Sequence, residues 1–228
     1  MGYMHEFMDA ELDESPTATS AGTVVTYWGP GTTPTEGHEL WTLDAIARAL
    51  AAIKGYRFAG AYDPGDRHAG HLYFVPRDTL VSSDANRLPI NGEADLFGGV
   101  VRHAFVATKT ITHPLIGSQA LAPQGWSQRF PERVAQDVLR GYSAFNIADA
   151  RRAAVRLLDA GPVRLKLASS SGGTGQQTAS DAAELDAALS ELDADGMVRH
   201  GLVVEEDLSD VTTYSVGQVR IDKLSVSY

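Results

Sequence analysis

Short runs of β-branched and aromatic residues alternate along this chain with stretches whose apolar residues return at helical spacing. That alternation restricts it to folds in which helices cover a sheet. Thr23-Val-Val-Thr-Tyr-Trp28 is the first run and stops at Gly29-Pro30-Gly31. Leu43, Ile46, Ala47, Leu50 and Ile53 then share one helical face, and Gly55 closes the helix. Strands are expected over 56–61 and 72–75, the second ended by Pro76. Strand, helix and strand in this order open an α/β layer.

Between 86 and 128 the pattern weakens: 96–101 and 105–109 read as loop and strand pieces, and 120–128 as a surface loop. Pro131 suits the first turn of a helix carrying Val134, Val138 and Leu139. A clearer helix repeats Ala150, Ala153, Ala154, Leu157 and Leu158 and ends at Gly161-Pro162. A strand over 163–168 leads through a small-residue loop, 169–175, back into strand and helix. Asp181 can cap that helix, with Glu184 completing a capping box, Ala182, Leu185, Leu189 and Leu192 facing inward, and Gly196 ending it. Residues 202–206 form a strand, and 213–221 and 223–228 alternate like two more.

The 228 residues, 43% of them hydrophobic, are enough for one medium domain or two small ones. Twenty-nine acidic against nineteen basic side chains give a net charge of −10, which argues against nucleic acid as a partner. Without cysteine there is no disulfide framework, no thiolate metal site and no cysteine nucleophile. No apolar run approaches the roughly 18 residues that cross a bilayer. The acidic start lacks the basic and apolar regions of a signal peptide. A cytoplasmic protein with no membrane partner is expected, residues 1–21 forming a disordered acidic tail. His68 and His71 sit among Gly and Pro with no third ligand in view, His113 reads as a structural histidine, and Trp28, Trp41 and Trp126 as core or edge packing.

The segment with the most chemical content is Lys166-Leu-Ala-Ser-Ser-Ser-Gly-Gly-Thr-Gly175. Glycines let backbone N–H groups approach an anion closely, Ser and Thr add hydroxyl donors, and a lysine at the strand end supplies a point charge. No Gly-Lys-Ser/Thr opens the next helix, so it is not a Walker A loop, and it has no dinucleotide fingerprint or nucleophile elbow. A glycine- and serine-rich hairpin with no ligand is the other reading of the same residues.

Beyond this loop come Leu202-Val-Val-Glu-Glu-Asp-Leu208 and then Thr213-Tyr-Ser-Val-Gly-Gln-Val219. The order of lysine strand, glycine loop, capped helix, apolar strand ending in Glu-Glu-x-Leu and a further strand resembles the ATP-grasp superfamily. The whole chain is similar to an uncharacterised bacterial ATP-grasp-like family through Asp95-Leu-Phe-Gly-Gly-Val-Val101, Ala107-Thr-Lys-Thr-Ile-Thr-His-Pro114 and 210–218. The resemblance implies an α/β fold. A pre-ATP-grasp-like domain would occupy 22–105, a linker and the first ATP-grasp subdomain 106–200, and the hinge with the start of the second subdomain 201–228.

It also implies ATP as ligand. Lys166 would contact phosphates and the adenine edge. Ser170, Ser171, Gly172, Gly173, Thr174 and Gly175 would form the flap over the phosphates. Glu205, Glu206 and Leu208 would form the adenine-holding hinge, a charged strand end being the alternative for the two glutamates. Lys109 is a candidate for the earlier phosphate lysine, a solvated surface lysine being the other reading. Leu167 and Thr212 or Thr213 depart from the residues the superfamily often has, and the carboxylates that hold Mg²⁺ come later in such enzymes than Tyr228. The chain is therefore expected to be the N-terminal part of a protein whose complete form binds ATP with Mg²⁺. That form would join a carboxylate to an unknown small-molecule acceptor through an acyl phosphate. The rival is a non-catalytic nucleotide-binding or structural protein.

Overall fold

A computed structural model describes residues 21–30, 37–168, 175–212 and 214–228. Residues 1–20 of the expected tail, and Ser170, Ser171, Gly172, Gly173 and Thr174 of the expected flap, lie outside the described residues. The chain divides into two units, Met1–Arg77 and Asp78–Tyr228.

In the first unit β1 (Gly22–Tyr27) is the central strand of a parallel sheet, between β2 (Arg57–Ala61) and β3 (His71–Pro76). Helix α1 (His38–Lys54) connects β1 to β2. A parallel pair needs such a crossover, and the expected strand–helix–strand order is what is found. The buried stripe of α1 is Leu43, Ala47, Leu50 and Ala51; the expected Ile46 and Ile53 are 39% and 50% exposed. Large apolar side chains lie on more than one side of the helix, so periodicity alone does not select a face. The face bearing small alanines packs inward. Trp41, expected in packing, lies exposed. Val24, Val25, Phe74 and Val75 are fully buried in this sheet.

The second unit opens with β4 (Leu80–Val81), the single turn α2 (Ser82–Ala85) and β5 (Val100–Val101), which pairs with β4. The stretch expected as loop and strand pieces at 105–109 carries no strand and falls in two 3-10 turns, Ala104–Ala107 and Lys109–Thr112. Thr108 explains the break: its hydroxyl donates to Phe105 O and accepts from Thr110 N–H, competing with strand pairing. Helix α3 spans only Arg129–Val134, so Val138 and Leu139 lie beyond it.

Then come β6 (Gly141–Ala144), α4 (Ile147–Leu158), β7 (Val163–Leu167), β8 (Gln176–Ala179), α5 (Ala182–Ser190), α6 (Ala194–His200) and β9 (Leu202–Glu206). Asp181 caps α5 through the N–H groups of Ala183 and Glu184, while Glu184 reaches back to Ser180 N–H, one residue short of the expected capping box. Gly196 does not end this helix. It sits inside α6, which Asp193 starts as a new cap, and the expected inward Ala182 is exposed. The strands form an antiparallel sheet in the order β6-β9-β7-β8. Ala150, Ala153, Ala154 and Leu157 of α4 and Leu185 and Leu189 of α5 pack on Val163, Leu165, Leu202 and Val204. Burying each of the larger side chains contributes about 1.5–3 kcal/mol.

A last hairpin pairs β10 (Gln218–Ile221) with β11 (Leu224–Ser227), shorter than the strand expected from 213. Its register puts Val219, Ile221, Leu224 and Val226 on one face and Gln218, Arg220, Ser225 and Ser227 on the other.

Candidate functional site

Side chains alternate across a sheet, and directly paired residues share a face. Lys166 pairs with Val203, Glu205 with both Arg164 and Gly141, and Ser143 with Val203. Lys166, Arg164, Glu205 and Ser143 therefore stand on one face, opposite to the face of Leu165 and Val204 that α4 and α5 cover. The diagonal between Lys166 and Glu205 is within reach of a long side chain, and Lys166 Nζ is paired with Glu205 Oε1. Glu205 is only 6% exposed, so this pair stands largely out of water.

The turn Lys109–Thr112 lies against β6 and β9 on this same face. Ser143 Oγ donates to Thr110 O at 2.6 Å, Ser143 N–H to Pro114 O at 2.9 Å, and Thr110 Oγ1 to His200 O at 3.2 Å. Leu115 bridges Ser143 in parallel. Two glycines make the approach possible. A Cβ on Gly201, whose φ is +87°, would stand 2.5 Å from Thr110 Cγ2. One on Gly141 would stand 2.8 Å from both Glu205 Cβ and His113 Cδ2.

Docking this segment places His113, 4% exposed, beside Glu205: Nε2 is 3.7 Å from Oε2 and 3.1 Å from Leu139 O, and Nδ1 is 2.9 Å from Thr112 Oγ1. Burial holds the imidazole pKa below its usual value, Glu205 and the Leu139 carbonyl pulling upward and Lys166 reinforcing the fall. Lys109 is half-buried and its pKa is lowered, first by burial and then by the Lys166 charge, with Glu205 opposing. Lys109 is thus only partly solvated, with the charges of Lys166 and Glu205 acting on it in opposite senses.

Among the other expected residues, Gly175 directly precedes β8 and its carbonyl accepts from Leu167 N–H at 3.4 Å. Glu206 falls on the opposite pleat from Lys166, where its carboxylate accepts from Arg140 N–H. Leu208 follows β9 and is 44% exposed. The structure thus pairs Lys166 with Glu205, leaves Lys109 within electrostatic reach of both, and sets Glu206 and Leu208 apart from them.

Two contributors went unread in the sequence. His113 reads there as structural, and it is indeed well partnered, but its neighbour Glu205 is visible only once β9 and the 108–115 segment are docked. Arg164 donates to Asp207 Oδ1 at 2.6 Å and to Gln176 Oε1 at 3.0 Å, tying the residue after β9 to the first residue of β8. The signal was its i−2 spacing from Lys166 on a strand, which puts two cations on one face.

The fold is mixed α/β and is shared with the D-alanyl-alanine synthetase A of Vibrio cholerae O1 biovar eltor, at TM-score 0.52 and 12% identity, over 92% of this chain and 66% of that one. A RimK domain protein ATP-grasp from Sphaerobacter thermophilus also matches, at TM-score 0.37 and 14% identity, over 81% of this chain and 64% of that one. The chain thus spans slightly under two thirds of the length of these two structures. It belongs to the family described as Protein of unknown function (DUF3182), whose model matches residues 27–228. No curated protein matches it.

Proposed function

We propose that this chain is the ATP-binding portion of an ATP-grasp-like ligase, holding the polyphosphate of ATP on the sheet face that carries Lys166. The observation that carries this reading is the Lys166–Glu205 pair on this sheet face, with Lys109 on the turn docked against β6 and β9. Lysine ammonium groups on this face are positive charges that phosphate oxygens would meet. Ser170, Ser171, Gly172, Gly173, Thr174 and Gly175, which join β7 to β8 in the sequence, would supply hydroxyl and backbone N–H donors to the same phosphates. Glu205, Glu206 and Leu208 would flank the adenine end. The sequence resemblance to the ATP-grasp superfamily and the fold likeness to a D-alanyl-alanine synthetase support this reading.

Residues 22–105 would then be the pre-ATP-grasp part, 106–200 the linker and first ATP-grasp subdomain, and 201–228 the hinge and the opening of the second. The reaction of the whole protein would be attack of a carboxylate oxygen on the γ-phosphorus with departure of ADP. An amine or similar nucleophile would then displace phosphate from the acyl phosphate. Among the described residues no three carboxylate or imidazole groups converge. We assign no residue to Mg²⁺.

Calorimetric titration with ATP, ADP, AMP and adenosine tests the reading. Affinity should fall stepwise as phosphates are removed. Equal affinity across the series, or no binding of ATP, would overturn it.

A further inference from the structure

His113 is wired to both halves of the lysine pair. Its Nε2 faces only acceptors, Leu139 O at 3.1 Å and Glu205 Oε2 at 3.7 Å, so it carries a hydrogen in every protonation state. Its Nδ1 faces Thr112 Oγ1 at 2.9 Å, and that hydroxyl also lies 2.7 Å from Lys109 O. A hydroxyl has one proton to give. With a neutral ring, Thr112 can serve Nδ1 or the Lys109 carbonyl but not both. With a protonated ring, Nδ1–H donates to Thr112 Oγ1 and Thr112 donates to Lys109 O. What opposes the proton is burial and the Lys166 ammonium, which already neutralises Glu205.

We infer that His113 takes up a proton when a bound polyphosphate draws Lys166 away from Glu205, so that phosphate binding on this face is coupled to protonation of a buried imidazole. This rests on the nucleotide reading above. The charged groups acting on the ring are Glu205 on β9 and Lys166 on β7; Lys109 stands on the turn just before His113. Once Lys166 turns to the phosphates, Glu205 is left buried and unpaired, a costly state. The proton comes from solvent, adds to Nδ1, and gives Glu205 a cationic neighbour in place of the lysine. The one bond that forms is N–H. His113 is thus a positioning residue: it keeps Glu205 charge-balanced and the Thr112–Lys109 backbone bond in place while both lysines face the ligand.

Linkage fixes the sign. A proton bound along with the ligand strengthens binding as pH falls, by up to about tenfold per pH unit for a full proton. The test is calorimetry of ATP binding to the full 228-residue chain and to His113→Gln, each in two buffers of different ionisation enthalpy. The titration of the nucleotide's own terminal phosphate is common to both proteins and cancels in their difference. The wild type should take up more protons than His113→Gln, and its affinity should rise more steeply toward low pH, while the variant still binds. ATP binding with the same proton uptake in both proteins would overturn the inference and leave the nucleotide site standing. Absence of ATP binding to the wild type would remove both. Should His113→Gln fail to fold, the imidazole nitrogen resonances of wild-type His113 decide. ATP must shift them toward the imidazolium form at neutral pH, and unchanged resonances with ATP bound refute the coupling.

Discussion

Gly141 sits where the docked 108–115 segment meets the sheet, and replacing it by alanine probes that packing without removing any charged group. The new Cβ would lie 2.7 Å from Val204 O, 2.8 Å from Glu205 Cβ and 2.8 Å from His113 Cδ2. None of these can swing aside, since one is strand backbone and the other two belong to residues 6% and 4% exposed. Overpacking of this kind costs about 1–3 kcal/mol. The stiffer unfolded chain returns about 0.4–1 kcal/mol. The net loss is therefore roughly 1–2 kcal/mol. For a chain of this size that lowers Tm by about 2–4 °C per kcal/mol. Gly117→Ala is the matched control, because nothing lies within 4 Å of its Cβ and its φ is ordinary. It should be neutral or slightly stabilising. Urea unfolding followed by circular dichroism separates the two. Gly141→Ala proving as stable as Gly117→Ala would refute the close approach of His113 and Glu205 over β6.

Leu165→Ala, at the centre of the apolar face, should lose about 2–5 kcal/mol in the same unfolding assay; a loss no larger than that of an exposed leucine would contradict the assignment of faces. Asp149 is buried, which pushes its carboxyl upward, but the Leu121 N–H, Arg152 and Asn146 more than reverse this and hold it below 3.8. Its contribution is therefore present above pH 3.8 and is lost as pH falls through the lower folded value. Asp149→Asn should cost about 1–3 kcal/mol at neutral pH and flatten the acid limb of a stability-against-pH curve. A variant with the wild-type acid limb would show that Leu121 is held otherwise.

The local pattern carried the strands and helices of the regular stretches because period and caps act over a few residues: β7 and β9 lie within one residue of expectation, and α4 holds all five apolar residues expected of it. It failed where tertiary contact decides. Apolar side chains on more than one side of α1 concealed its buried stripe, and Thr108 set tight turns by local hydrogen bonding where loop and strand pieces were expected. Gly196 was expected to stop a helix, whereas Leu192 and Asp193 interrupt it earlier and Asp193 starts another. Lys166 and Glu205 were legible because strand ends and glycine loops leave a sequence signature. Their meeting with Lys109 and His113 was not, since the Glu205 contact joins residues far apart in the chain across β6 and β9.

The central claim is that the Lys166 face holds a polyphosphate. Equilibrium binding of ATP to the wild type, to Lys166→Met and to Lys166→Met with Glu205→Gln tests it most directly. The double variant removes both members of the buried pair, so a loss seen in both cannot come from a stranded carboxylate. A charged hydrogen bond contributes about 1.5–3 kcal/mol, so both variants should bind at least about tenfold more weakly than the wild type. Wild-type affinity in either variant would contradict the account.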